Sequence, residues 1–280
     1  VIDFALDAFL QNALFEDLGR AGDLTTNAIV APDRTGSAAL VTRTDGTISG
    51  LTAAARVFTL LDPTARVETC VADGATVGAR TRLATVHGAL RTILTGERTA
   101  LNVLGRLSGV ATATRRYVAL VAGTAASIVD TRKTTPGMRA LEKAAVRHGG
   151  GRNHRFGLDD AILIKDNHVA VAGGIVAALA AARAAAGHLV PIEVEVDSLD
   201  QLDEALGAGA RIVLLDNFTP EALVTAVRRN AGRALLEASG GVNATTVRAI
   251  AQSGVDLISI GALTHSAPSL DVALDIDIGS

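Results

Sequence analysis

The chain has 280 residues, 49% of them apolar, 20% charged and only 2% aromatic, with a net charge of −3. That is enough chain for one large or two moderate folded domains, while the acidic balance and scarce aromatics speak against a nucleic-acid partner. Cys70 is the single cysteine, so no intrachain disulfide or cysteine metal cluster can form, and without an apolar leader or span the reading expects a cytoplasmic protein and no membrane partner.

Residues 3–18 carry an opening helix, followed by strand-like pieces at 37–44 and 65–71 separated by DG and GxxxG turns. This start predicts an α+β domain with antiparallel pairing. From Leu90 a helical pattern runs on for some thirty residues, weakened by Gly96, Gly105 and Gly109, and the domain boundary is expected near 105–109. Beyond Ala125 short β-branched runs (ASIVD, AILIK, IEVEV, RIVLLD, ALLEAS, DLISIG) alternate with helical segments at 137–147, 173–186, 199–206, 220–229 and 244–252. Strand–helix alternation predicts a parallel sheet covered by helices. Six strands rather than eight leave an incomplete or open α/β barrel as well as an open sheet.

In IEVEV, alternation puts Glu193 and Glu195 on one face and Ile192, Val194 and Val196 on the other. An exposed edge strand alternates in the same way, but in a barrel both glutamates would face inward. The other strands also end in polar residues: Asp130 with Arg132 and Lys133, Lys165 with Asp166, Asp216 with Asn217, Glu237 with Ser239, and Ser259. The C-terminal rim of an α/β barrel is where ligands bind, and buried charges persist only when paired or used. EASGGVNATTVRAI and SIGALTHS each place glycine after a strand and before a helix, as a phosphate cradle requires, although glycine turns after strands are common.

The segment RHGGGRNHRFG at 147–157 holds three arginines, two histidines and no acid. Its glycines should end a helix near Arg147 and His148 and leave Arg152 to Phe156 in a loop. A solvated loop is the plain account of any one arginine. Five basic groups together call for an anion, and arginine suits a planar carboxylate held bidentately.

These motifs are specific enough to name a likeness. Along EDLGRAGDLTT (16–26), GERTALN (96–102), DTRKTTPGMRALEKAAVRHGGGRNHRFGL (130–158), LIKDNH (163–168), EVEV (193–196), LDNF (215–218), EASGGV (237–242) and ISIGALTHS (258–266), the chain resembles the quinolinate phosphoribosyltransferases, the type II phosphoribosyltransferase family. Ser49 in GTISGL departs from it, since alanine is commoner there. The resemblance implies an N-terminal α/β sandwich domain (1–108), an open α/β barrel (109–265) and a C-terminal segment (266–280) returning to the first domain. It implies transfer of phosphoribosyl from phosphoribosyl pyrophosphate to the ring nitrogen of quinolinate with decarboxylation, giving nicotinate mononucleotide, pyrophosphate and CO₂ in NAD biosynthesis.

By matching motifs, Thr131, Arg132, Lys133, His154 and Arg155 would hold quinolinate, with Lys133 and Lys165 facing phosphoribosyl pyrophosphate. Glu195 and Asp216 would address its ribose and Mg²⁺, directly or through water, and the 5′-phosphate would lie on Ser239, Gly240, Gly241, Val242, Gly261, Ala262 and Leu263. Lys133, Lys165, Glu195 and Asp216 would carry the chemistry. The likeness also implies a homodimer in which Arg98 reaches into the neighbouring site. A Schiff-base lyase using Lys133 or Lys165, a phosphate-ligand sensor and a nicotinate-using transferase are the rival readings.

Overall fold

The computed structural model describes residues 3–277. The chain divides into two compact units. One takes the chain up to Arg115, Thr134–Gly150 and the chain from His265 on; the other takes Arg116–Lys133 and Gly151–Thr264. Helix Leu90–Leu120 passes through the boundary expected at residue 108 without a break. Gly105 and Gly109 let the C-terminal segment lie close to it, and Gly96 gives room to Phe58 and Leu61. A Cβ on Gly109 would sit 2.1 Å from the carbonyl oxygen of Pro268, and one on Gly105 2.9 Å from that of Leu270.

The first unit is built on a four-stranded antiparallel sheet in the order Val272–Asp277, Thr35–Thr42, Arg82–Ala89, Arg66–Thr69. In Thr35–Thr42 the buried residues alternate, with Ala38, Leu40 and Thr42 facing the core. Helix Leu51–Leu61 packs Leu51, Ala53, Ala54, Val57 and Phe58 inward. Helix Leu24–Ile29 is capped by Asp23, whose carboxylate accepts from the backbone N–H of Thr26. Sequence periodicity missed both of these helices and strand Arg82–Ala89.

The second unit contains a six-stranded parallel sheet in the order Ser127–Val129, Leu257–Ser259, Leu235–Ser239, Ile212–Asp216, Ile192–Val196, Ile162–Ile164. All six runs expected from the sequence form strands. Among the described residues the two end strands do not pair with each other, so the barrel is open. Arg152 bridges Val129 in parallel and lies along that edge. The buried valines and leucines of the strands, such as Val194, Val196, Val213, Leu215 and Leu236, build the core with helices Ile175–Ala185, Leu199–Gly207, Pro220–Asn230 and Val247–Gln252. Ser198 and Thr219 cap two of these helices by accepting from Gln201 and Ala222, and Pro220 opens the second of them. Helix Asp166–Ala172 was not legible because none of its residues is buried. Among the described residues no single helix is long and apolar enough to cross a membrane.

Candidate active site

At the C-terminal ends of the parallel strands lies a cavity of about 670 Å³, inside the usual range for a small-molecule site. Thr131, Arg132 and Lys133 reach it from the end of Ser127–Val129, and Lys165 from the end of Ile162–Ile164. Glu195 comes from Ile192–Val196, Asp216 and Asn217 from Ile212–Asp216, and Glu237, Ser239, Gly240 and Gly241 from Leu235–Ser239. His154 and Arg155 arrive from the loop that follows the glycine triplet.

That loop is tied down by a buried acid. Asp130 is fully buried, and its carboxylate accepts from Asn153 Nδ2 at 2.6 Å and from the backbone N–H of His154 at 2.8 Å. The backbone of Arg152 adds a strand-like pair of bonds with Ile128 and Asp130. The RNHR segment is therefore a ledge along the sheet edge, with Arg155 Nη1 donating to the carbonyl of Ala161.

The rim is cationic. Arg132 Nε is buried and has no hydrogen-bond partner. Burial, and then the charge of Arg132, lower the pKa of Arg155. Two like-charged guanidinium groups under partial desolvation repel each other, and an anion between them would relieve that repulsion. Lys165 Nζ makes a 2.8 Å ion pair with Glu195 Oε2, and Lys133 is exposed.

Below the rim the charge reverses. Glu193 and Glu237 are buried, as expected of acids that face into a barrel, and His154 stands between them. The backbone N–H of Arg155 donates to His154 Nδ1, which leaves the hydrogen on Nε2, 2.9 Å from Glu193 Oε2 and 3.8 Å from Glu237 Oε1. One oxygen each of Glu193 and Glu237 is buried without a hydrogen-bond partner. Burial, and then the negative charge of Glu193, push the Glu237 carboxyl up to about 7. His154, Glu193 and Glu237 bring ligand atoms within 4.8 Å of one another, the one such group found among the described residues. The hydrogen on Nε2 makes it a proton-sharing cluster. Glu195 and Asp216, expected to address Mg²⁺, are hard-oxygen donors that line the cavity outside that cluster.

Gly240 and Gly241 have φ of +88° and +62°, a conformation that favours glycine, and both line the cavity. Asn243 Oδ1 accepts from the backbone N–H groups of Thr245 and Thr246 and so braces the turn before helix Val247–Gln252, whose N-cap position is Thr246. Val242, Gly261, Ala262 and Leu263 are outside the cavity lining. Leu263 is fully buried, and its N–H is directed at the carbonyl of Ile260. Arg98 belongs to the first unit, where it is exposed and lines a hollow with Glu16, Asp17, Asn102 and Arg106. Asp130, Asn153, Glu193, Glu237 and Asn217 shape the site without having been named as binding residues. Alternation in IEVEV was the available signal for Glu193, and a place near the end of the run ALLEAS the signal for Glu237.

Residues 23–108 match the family model described as quinolinate phosphoribosyl transferase, N-terminal domain, and residues 110–275 match its C-terminal domain. The chain belongs to the quinolinate phosphoribosyltransferase family. Among its relatives in that family, the carboxylating nicotinate-nucleotide pyrophosphorylase of Mycobacterium leprae is 47% identical over 272 residues, covering 95% of each chain. A probable carboxylating nicotinate-nucleotide pyrophosphorylase of Synechocystis is 44% identical over 274 residues, which span 97% of this chain and 92% of that one. The structure of nicotinate-nucleotide pyrophosphorylase from Francisella tularensis superposes with a TM-score of 0.95 at 39% identity, covering 99% of this chain and 98% of that one.

Proposed function

We propose that this chain transfers the phosphoribosyl group of phosphoribosyl pyrophosphate to the ring nitrogen of quinolinate and releases CO₂, a step of NAD biosynthesis. The observation that carries the reading is the gathering of Arg132, Lys133, Arg155 and Lys165 around one cavity with Glu195, Asp216 and the Ser239–Gly241 turn. Quinolinate is a dianion and its co-substrate a polyanion, and both must be held side by side.

In this reading Arg132 and Arg155 hold the two ring carboxylates, because their planar forks suit bidentate contact. Thr131 and His154 complete that pocket. Lys133 and Lys165 face the pyrophosphate, and the Ser239–Gly241 turn takes the 5′-phosphate with backbone N–H groups. Glu195 and Asp216 address the ribose and would hold Mg²⁺ with water completing its shell; when bound, the ion neutralises the leaving pyrophosphate. The bond from C1 to pyrophosphate breaks and the bond to the ring nitrogen forms, with carboxylates stabilising the positive ribosyl centre. The ribosylated ring is cationic, so the electron pair left on the adjacent carbon when CO₂ departs is stabilised until a proton replaces it.

The second carboxylate accounts for the second arginine, which favours quinolinate over nicotinate. Against a Schiff-base lyase, the amine of Lys165 is occupied by its ion pair with Glu195. We place the enzyme in the cytoplasm as a homodimer, with Arg98 donated to the neighbouring site. The deciding experiment is release of labelled CO₂ from quinolinate. It is expected only when phosphoribosyl pyrophosphate and Mg²⁺ are both present, and release independent of phosphoribosyl pyrophosphate, or none at all, would overturn the reading.

A further inference from the structure

Asn217 follows the last residue of strand Ile212–Asp216 and adopts φ of +57°, in the left-handed region where asparagine is better tolerated than most residues. Its backbone N–H donates to the carbonyl of Ser239 at 2.9 Å, so it stitches the ends of two neighbouring strands together. The same backbone turn brings its side chain back over Asp216, and Nδ2 donates to Asp216 Oδ2 at 2.7 Å. On its other side the amide lies close to Gly240. A Cβ on Gly240 would stand 2.1 Å from Asn217 Oδ1 and 2.6 Å from Cγ.

Three features therefore define one arrangement: a left-handed asparagine, a glycine with no room for a methyl group, and a carboxylate held by the asparagine's amide. Nothing in the strand requires it. Strand pairing ends at Asp216 and Ser239, and Asn217 is exposed, so burial does not select its side chain. What the arrangement does is fix the rotation of the Asp216 carboxylate where the strand no longer constrains it. It also couples that carboxylate to the glycine turn that would cradle the 5′-phosphate.

We propose that Asn217 is a positioning residue: its amide, packed on Gly240, sets the Asp216 carboxylate for the ribose of phosphoribosyl pyrophosphate. This rests on the reading of the cavity given above. Gly240 is then required for a steric reason as well as for its own backbone angle, since a side chain there would push the Asn217 amide off Asp216.

The test is steady-state CO₂ release as a function of each substrate for the wild-type enzyme, Asn217→Gly and Asn217→Asp, alongside melting temperatures. Asn217→Gly tolerates the left-handed backbone and removes the side chain with its amide. It is expected to raise the KM for phosphoribosyl pyrophosphate about tenfold, the scale of one hydrogen bond to a charged group, and to leave the KM for quinolinate within about twofold. Asn217→Asp keeps the shape but sets a like charge against Asp216, and should raise the same KM at least as much. A purely structural role would lower the melting temperature without separating the two KM values. Wild-type turnover with an unchanged KM for phosphoribosyl pyrophosphate in Asn217→Gly overturns this inference alone. Failure of the wild-type enzyme to release CO₂ overturns the reading of the cavity and this inference with it.

Discussion

At the floor of the cavity the buried carboxylates of Glu193 and Glu237 flank the His154 imidazole and that of buried Asp130 holds the His154 backbone, whereas at its rim Arg132, Lys133, Arg155 and Lys165 have Glu195 as the ion-pair partner of one lysine. The two regions carry opposite excesses of charge within a few strand residues of each other. The floor's carboxylates are buried, so their charge is met internally, with hydrogen bonds to Asp130 from Asn153 and the His154 backbone and with a Glu237 carboxyl pushed up to about 7. The rim is half open, so its excess can wait for a ligand. One strand pattern serves both: inward positions deep in the sheet hold the acids, and positions past the strand ends hold the bases. Such a division predicts that changes at the rim appear in substrate kinetics and changes at the floor in pH-dependent stability.

The largest effect should come from the rim. Arg132→Lys keeps the charge but replaces a planar fork by a point, and kcat/KM for quinolinate should fall roughly 100- to 1000-fold with little change in melting temperature. An unaltered KM for quinolinate in that variant would remove Arg132 from the carboxylate pocket.

At the floor the test is Glu237→Gln. The folded protein raises the Glu237 carboxyl from its ordinary 4.5 to about 7, so its neutral form is the one the fold prefers. The stability this group contributes is fully present below pH 4.5 and is lost as pH rises through about 7. A shift of that size corresponds to about 3 kcal/mol at most. Gln cannot ionise. Urea denaturation should therefore show the variant gaining on the wild-type protein between pH 5 and pH 8, and parallel pH profiles for the two would show that Glu237 holds no proton worth the name.

Most of this division was legible in the sequence, for identifiable reasons. The six parallel strands follow from β-branched runs, and the inward direction of Glu193 from a period of two in IEVEV. The rim bases could be read because they cluster at strand ends. What escaped depends on contacts that sequence spacing does not encode. Asp130 looked like one more strand-end acid until Asn153 and His154 folded back onto it, and the role of Asn217 needs the glycine of a different strand. Helix Leu90–Leu120 shows the reverse case: Gly105 and Gly109 suggested weakness because the C-terminal segment that uses them lies more than 150 residues away.

Whether one chain supplies the whole rim is a sharper question about the same comparison. Arg98 sits in the first unit on an exposed helical position. If it completes a neighbour's rim, Arg98→Ala and Lys133→Ala protomers should each be nearly inactive alone. After subunit exchange a mixture should regain about a quarter of wild-type activity, because one site in four then lacks both changes. No recovery after demonstrated exchange would return Arg98 to its own chain.

The smallest effect is expected at a buried polar pair outside both regions. Ser49 is buried, and its hydroxyl lies 2.8 Å from His148 Nδ1. Its backbone N–H donates to the Ser108 hydroxyl, which donates in turn to the Ser49 carbonyl, so the backbone bonds do not depend on the Ser49 side chain. Ser49→Ala therefore removes one hydrogen bond and leaves a half-exposed histidine free to turn toward water. The cost should be about 1 kcal/mol, or a melting temperature lower by roughly 2–4 °C, with kinetic constants unchanged. A loss of activity at wild-type stability would mean that this pair, hidden in the first unit, takes part in the chemistry after all, and that floor and rim are not the whole of the site.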